Sequence, residues 1–286
     1  MNKSPCFSSS SSSFSTRSHN IGGRGRGGGN AAPRQQQCRL STIFLVLIIL
    51  LILWCWMAPY YLLHGTTPFT RGGKLLARHC PTTMNGPGVP TFKHRDDLGD
   101  ILEAEGKTRG LELGVQYGYY SNAMLTRWHK CAEYHLVDVW APLENYIDFA
   151  NKDQKEQDEI YNDAMDRLRP YKNKIHVCRN FTTVCASQFQ DDYFDFIYVD
   201  ARHDFKGVAL DLEKYWPKLK VGGIIAGHDY VTNDETGQNW TVNYDGTIDL
   251  TGTVVKGAVD AFAVSVCRQV TVSYREGSFN TWAMRK

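Results

Sequence analysis

Asp138, Asp200, Asp229, His203 and His228 all stand where apolar runs end, a pattern able to bind a ligand and move a proton. Asp200-Ala-Arg-His203 follows the run Phe194–Val199, and His228-Asp229 follows Ile224–Gly227. If the two runs are neighbouring strands, Asp200 and Asp229 end about 4.8 Å apart. Carboxylates that close repel one another or share a cation. His203, with an ordinary imidazole pKa of about 6.5, suits proton removal. Two further pieces lie upstream. Glu112-Leu-Gly-Val-Gln-Tyr-Gly118 closes the first apolar run. Gly114 and Gly118 let a ligand approach the backbone, and a helix N-terminus beyond them receives negative charge. Asp138 closes the run Tyr134-His-Leu-Val, 26 positions after Glu112. A carboxylate at that place can accept both hydroxyls of a ribose.

The elements that must position these residues alternate between strand and helix. Strands are expected at Gly110–Gly114, Tyr134–Val139, Ile175–Cys178, Phe194–Val199 and Ile224–Gly227, the last entered by a turn at Gly222-Gly223. Helices are expected at Tyr119–Lys130, Glu144–Leu168, Gly207–Trp216 and Val254–Val266. Ile160, Ala164 and Leu168 fall on one helical face, and Pro170 ends that helix. Gln269–Tyr274 and Phe279–Met284 read as a terminal hairpin around Arg275-Glu-Gly-Ser278. Such alternation implies an α/β fold with a mostly parallel sheet and right-handed crossovers. Ligands of such sheets bind at the carboxyl ends of the strands, where the polar residues gather. The long polar segment Thr232–Thr253 reads as a lid over that edge.

Together the four pieces between Leu111 and Tyr230 resemble the class I S-adenosylmethionine-dependent methyltransferases. Within that class they are most similar to small O-methyltransferases related to the macrocin and mycinamicin sugar methyltransferases. The resemblance reaches from Asp97 to the C-terminus. It implies a Rossmann-like, seven-stranded sheet with helices on both faces and a C-terminal antiparallel hairpin. It implies that the loop from Gly114 to Gly118 holds the methionine end of S-adenosylmethionine, with Glu112 toward its amino group. Asp138 would then take the ribose, and Asn180 with Phe181 the adenine. Asp200 and Asp229 would hold a divalent metal, and His203 would be the general base. His228 stands where that group has a glutamate. Imidazole suits transition metals better than magnesium, and a substrate contact is the alternative for His228. The acceptor class implied is a hydroxyl of a glycan or a small metabolite.

Two other readings compete. A nicotinamide-dependent oxidoreductase would need the third spacing glycine of GxGxxG, which is missing here. A membrane-tethered, non-catalytic scaffold that binds adenosylmethionine would have no need of the intact Asp-x-x-His and Glu-Leu-Gly pieces.

Charge and hydropathy divide the chain. Its 286 residues carry a net charge of +2, but residues 1–95 hold 11 Lys/Arg and no acid, leaving 21 Lys/Arg against 30 acidic residues beyond. The later part is therefore at −9, which gives no support to nucleic-acid binding. Residues 1–41 form a Ser-, Gly- and Arg-rich tail too poor in apolar surface to fold. Residues 42–63 carry no charge over 22 positions, enough to span a bilayer as a helix. Trp54, Trp56, Tyr60 and Tyr61 would mark one headgroup level. The basic residues before the span predict a type II anchor, with the C-terminal domain in the lumen of the Golgi or endoplasmic reticulum. An organelle transit peptide is the alternative. Residues 64–95 read as a Pro/Gly-rich stem, and 96–286 as one domain. Asn180-Phe-Thr182 and Asn239-Trp-Thr241 are glycosylation acceptors, Asn239 the more credible because it lies in a polar loop. Cys80, Cys131, Cys178, Cys185 and Cys267 follow the span; five without a CxxC pair indicate neither a zinc site nor a full disulfide framework.

Overall fold

The computed structural model describes Cys80 and residues 87–286. The described residues form one compact unit, and Met1–Lys74 falls outside them. Among the described residues no helix is long and apolar enough to cross a membrane, and the expected span at 42–63 lies outside them. Val89 and Phe92, within the segment read as a stem, are buried against the domain core.

Helix α1 (Asp97–Ala104) precedes β1 (Arg109–Leu113), α2 (Tyr119–Arg127) and β2 (Glu133–Asp138). They are followed by α3 (Gln154–Leu168), β3 (Ile175–Arg179), the one-turn α4 (Thr182–Cys185) and β4 (Phe194–Val199). Then come α5 (Phe205–Tyr215), β5 (Leu219–Gly227), the short α6 (Asn233–Thr236), α7 (Val254–Val266), β6 (Thr271–Val272) and β7 (Trp282–Arg285). The sheet order is β3-β2-β1-β4-β5-β7-β6. The first five strands pair in parallel; β7 runs antiparallel to both β5 and β6. Every residue of β4 is buried, as a strand covered on both faces must be, and its sequence is apolar but for Asp195, whose carboxylate accepts from the Thr108 and Arg109 N–H groups and from Lys220. Trp128, at the end of α2, packs edge-on against Tyr134 and Phe196 and donates from its indole to the Lys107 carbonyl at 2.7 Å. The expected α/β sheet with a terminal hairpin is therefore present, with β1 and β4 meeting at the point where strand order reverses.

Several expected boundaries move, each for a local reason. The helix expected from Glu144 begins only at Gln154, because the Asp153 carboxylate caps the Glu156 N–H at 2.9 Å. Upstream of it, Asn151 holds the chain as a loop by bonding both backbone groups of Leu143 and the carbonyl of Tyr146. Gly222-Gly223 is not a turn before β5 but a bulge within it. The register with β4 shifts between Phe194 and Phe196, and Gly222, at φ +78°, donates to the Lys286 carbonyl at 2.9 Å. The hairpin strands are shorter than expected. Four cysteines form Cys80–Cys267 and Cys178–Cys185, while Cys131 is buried and free; spacing alone indicated neither bridge, because the partners meet only in the fold.

Trp128 is fully buried at the junction of α2, β2 and β4. Replacing it with alanine should cost about 3–5 kcal/mol of stability, read from the urea midpoint of residues 75–286. A loss below about 1 kcal/mol would show that this contact is not part of the core.

Candidate active site

The carboxyl ends of β1, β2, β4 and β5 open onto one cavity of about 830 Å³, a size typical of small-molecule sites. Its wall carries Glu112, Gly114, Asp138, Asn180 and Phe181 as well as Asp200, His203, His228 and Asp229. All the polar residues expected from sequence therefore border a single space.

At the β1 end, Gly114 has φ +82°, and a Cβ there would lie 1.9 Å from the Asp200 carbonyl oxygen. Only glycine fits. Asp138 is turned inward: its Oδ2 accepts from the N–H groups of Val115 and Gln116 at 2.8 and 2.9 Å, and its Oδ1 from that of Trp140 at 2.9 Å. A carboxylate offers about four acceptor positions, so one remains for a ligand hydroxyl. Its first duty is to hold the glycine loop, a role that its place at the end of an apolar run does not reveal. Glu112 is buried, accepting from Ser121 Oγ at 2.6 Å and Tyr134 OH at 3.0 Å. Burial pushes its carboxyl up to about 8 despite those donors. Asn180 and Phe181 are exposed at the end of the edge strand β3.

At the β4–β5 end, His203 is gripped on both nitrogens. Nδ1 faces Asp148 Oδ2 at 3.2 Å and Tyr146 OH at 3.1 Å, and Tyr146 OH in turn donates to the Ala201 carbonyl. Nε2 faces Asp229 Oδ2 at 3.1 Å and Asp200 Oδ1 at 3.4 Å. The Trp240 ring lies 4.4 Å from the imidazole, and its Nε1 donates to Asp148 at 2.8 Å. Burial opposes a charged imidazole, but Asp229, Asp148 and Asp200 outweigh it and raise His203 to about 10. The ordinary pKa expected for this histidine is thus corrected: three acids surround it, and it rests as an imidazolium that donates from both nitrogens.

Asp200, His203 and Asp229 each offer a ligand atom, all within 4.8 Å of one another. Two carboxylates and an imidazole fit a transition metal, provided that His203 loses its proton first. His228 is not part of that group. Its Nδ1 sits 2.9 Å from Asp229 Oδ1, and its Nε2 is 3.8 Å from Glu276 Oε1. It buttresses Asp229 from behind.

Asp148, Tyr146, Trp240, Glu276 and Arg95 were not expected at the site. Arg95 lies 3.8 Å from Asp200 Oδ2 and 3.7 Å from Glu276 Oε1. Asp148 and Tyr146 were hidden by the helix expected over 144–168; Pro142, Asn145, Asn151 and Asp153 are the loop and cap formers that mark the segment otherwise. The segment expected as a lid does reach the site, but through Trp240, which is buried.

Residues 111–230 match a family model described as a methyltransferase domain. This stretch is a methyltransferase domain. A curated relative, the uncharacterized protein y4gI of Sinorhizobium fredii, is 26% identical over 133 residues, which cover 45% of this chain and 14% of the relative. The chain thus spans about one seventh of that relative's length. Among solved structures, a protein from Corynebacterium glutamicum aligns at 12% identity and TM-score 0.48, over 67% of this chain and 78% of that one. The O-methyltransferase from Bacillus cereus in complex with SAH aligns at 16% and 0.45, over 67% and 80%. The N-methyltransferase NodS from Bradyrhizobium japonicum aligns at 11% and 0.44, over 67% and 94%. The matched methyltransferase domain begins inside β1 and ends just past Asp229, so it contains the glycine loop, Asp138 and the His203 cluster. Glu276, Arg95 and Trp240 lie outside it.

Asp138→Ala should leave the Val115, Gln116 and Trp140 N–H groups without their acceptor. A destabilisation of about 1–3 kcal/mol is expected from stranding such donors, together with faster amide exchange at residues 114–117. Unchanged exchange in that loop would remove Asp138 as its anchor.

Proposed function

We propose that the chain is an S-adenosylmethionine-dependent O-methyltransferase, anchored in a membrane of the secretory pathway, with its catalytic domain in the lumen. One observation carries the enzymatic reading: a single cavity joins the glycine loop to a histidine held by three carboxylates. The cofactor's methionine end lies against Gly114–Gly118, with its ammonium toward Glu112; the ribose meets Asp138, and the adenine lies toward Asn180 and Phe181. The acceptor hydroxyl, from a glycan or a small metabolite, enters beside Trp240.

The methyl group is already electrophilic on the sulfonium, so the protein has two tasks. It aligns the acceptor oxygen within about 3–3.5 Å of that carbon, and it removes one proton. Asp148 and Tyr146 fix the His203 ring, leaving Nε2 toward Asp200 and Asp229. Neutral His203 accepts the hydroxyl proton at Nε2, and the two aspartates stabilise the imidazolium that results. With a divalent metal bound, Asp200, Asp229 and His203 would be the residues holding it; His203 Nε2 would then no longer be free as a base, and the metal's chemistry would be to lower the acceptor hydroxyl's pKa.

Localisation is supported from outside the cavity. Two disulfides suit an oxidising compartment. Asn239 is exposed, and its Oδ1 accepts from the Thr241 hydroxyl at 2.6 Å. The basic flank before residues 42–63 orients the anchor.

Once a screen for adenosylhomocysteine release has identified an acceptor, His203→Ala should lower turnover by about 10²–10⁴ and leave cofactor affinity unchanged. Turnover indifferent to that change would leave alignment alone as the mechanism. For the wild type in the absence of divalent cations, only neutral His203 is a base, and its pKa is raised to about 10. The rate should therefore climb with pH from neutrality toward that value; a plateau above pH 7 would contradict the charge assigned to His203. Topology has its own test. A glycosidase-sensitive mass shift should vanish in Asn239→Gln, and protease added to sealed microsomes should remove an N-terminal tag but spare the domain. Protection of the tag would reverse the orientation.

A further inference from the structure

Asp211 is a buried acid that none of the preceding chemistry uses. It lies on α5, is only 3% exposed, and borders the same cavity as the glycine loop and the His203 cluster. Tyr215, one turn further along the same helical face, donates to the Thr182 carbonyl at 2.6 Å and ties α5 to α4. Asp211 is thereby set beside Thr182, whose side chain its carboxyl faces. No ion pair involves it among the described residues. Arg202, the cation acting on it, is bonded to Asp204 and to the carbonyls of Glu144 and Asn145. Buried carboxyls without a cation are costly, and one on a cavity wall points to a ligand.

Its place in the sheet says which part of a ligand it would meet. Asp138 pairs in register with Arg179 on β3, so Asn180–Thr183 follow directly beside the end of β2. A base carried by a ribose at Asp138 is delivered to that next strand end. Around that strand end the residues bordering the cavity include Phe181, Thr182 and Thr183, and from α5 Leu210 and Asp211. We propose that Asp211 reads the six-position edge of the cofactor's adenine, accepting from N6–H and donating to N1. This rests on the adenosylmethionine reading of the cavity. The adenine edge presents a donor beside an acceptor. A carboxylic acid in its neutral form offers the complementary pair. Burial, helped by the charge of Asp204 and opposed by Thr182 and Arg202, holds Asp211 up at about 7, so that form is present at neutral pH. Asn180 and Phe181, expected as the adenine contacts, supply an amide and a stacking face but are exposed; Asp211 is the buried polar group on that wall.

The test is equilibrium binding to the full chain of S-adenosylhomocysteine and of its 6-deamino analogue, in which hydrogen replaces the N6 amine without added bulk. The wild type should bind the analogue about tenfold more weakly, the scale of one buried hydrogen bond. Asp211→Val should lose adenosylhomocysteine affinity by at least that factor and bind the two ligands alike. Asp211→Asn, which keeps a donor and an acceptor, should retain most of the preference. A wild type that binds both ligands within about twofold overturns the assignment without recourse to any variant. So does a folded Asp211→Val that keeps the preference, since a structural role for Asp211 would not distinguish the two bases. Failure of the wild type to bind adenosylhomocysteine at all overturns the cofactor reading itself.

Discussion

The site depends on how closely β1 and β4 are held at the point where the strand order reverses. Gly114 N–H donates to the Val137 carbonyl and Asp200 N–H to the Leu113 carbonyl, both at 2.8 Å, so the three strands remain paired to their last residues. A side chain on Gly114 would collide with the Asp200 backbone. Beyond that contact the chains must diverge, β1 into the glycine loop and β4 into the Asp200–His203 turn, and the cavity opens between them. The glycine loop and the Asp200–His203 cluster therefore start from adjacent backbone atoms. Gly227 repeats the constraint at the end of β5, where a Cβ would lie 2.3 Å from the Val199 carbonyl oxygen.

Electrostatics then arranges what the strands deliver. Glu276, His228, Asp229, His203 and Asp148 alternate acid and base across the rim, with Arg95 between Glu276 and Asp200. Buried charges are tolerated when each meets an opposite one, and this alternation meets that condition. Its consequence is a histidine that keeps its proton strongly and becomes a strong base once the proton is lost. Gln116 and Asp229 on the cavity wall adopt φ of 48° and 56°, and neighbouring Trp140 39°, backbone conformations rare for such residues. The surrounding hydrogen bonds hold them there, notably those of Asp138 to Gln116 and Trp140. Strain of this kind collects at functional sites.

Much of this was legible in the sequence because buried parallel strands write themselves as apolar runs ending in polar residues. Phe194–Val199 and Val254–Val266 coincide with their elements, and Glu112, Asp138, Asp200 and Asp229 stand at strand ends as their runs indicate. What stayed hidden was non-local. Asp148 reaches His203 from a loop some 55 residues earlier in the chain, and Glu276 does so through His228 from the terminal hairpin; no spacing rule links them. The inward turn of Asp138 and the charge of His203 depend on partners that only the fold assembles. Cys178 and Cys185 are close in sequence, but only the chain path from β3 into α4 brings their sulfurs together.

Every ligand role proposed for this site requires that the cavity between β1 and β4 bind adenosylmethionine. Isothermal titration of residues 75–286 with S-adenosylmethionine, S-adenosylhomocysteine and NAD tests it without knowledge of the acceptor. Saturable binding of the first two is expected at one site per chain, competitive with each other, with no heat from NAD. Binding of NAD in place of the adenosyl ligands, or of none of the three, would contradict it.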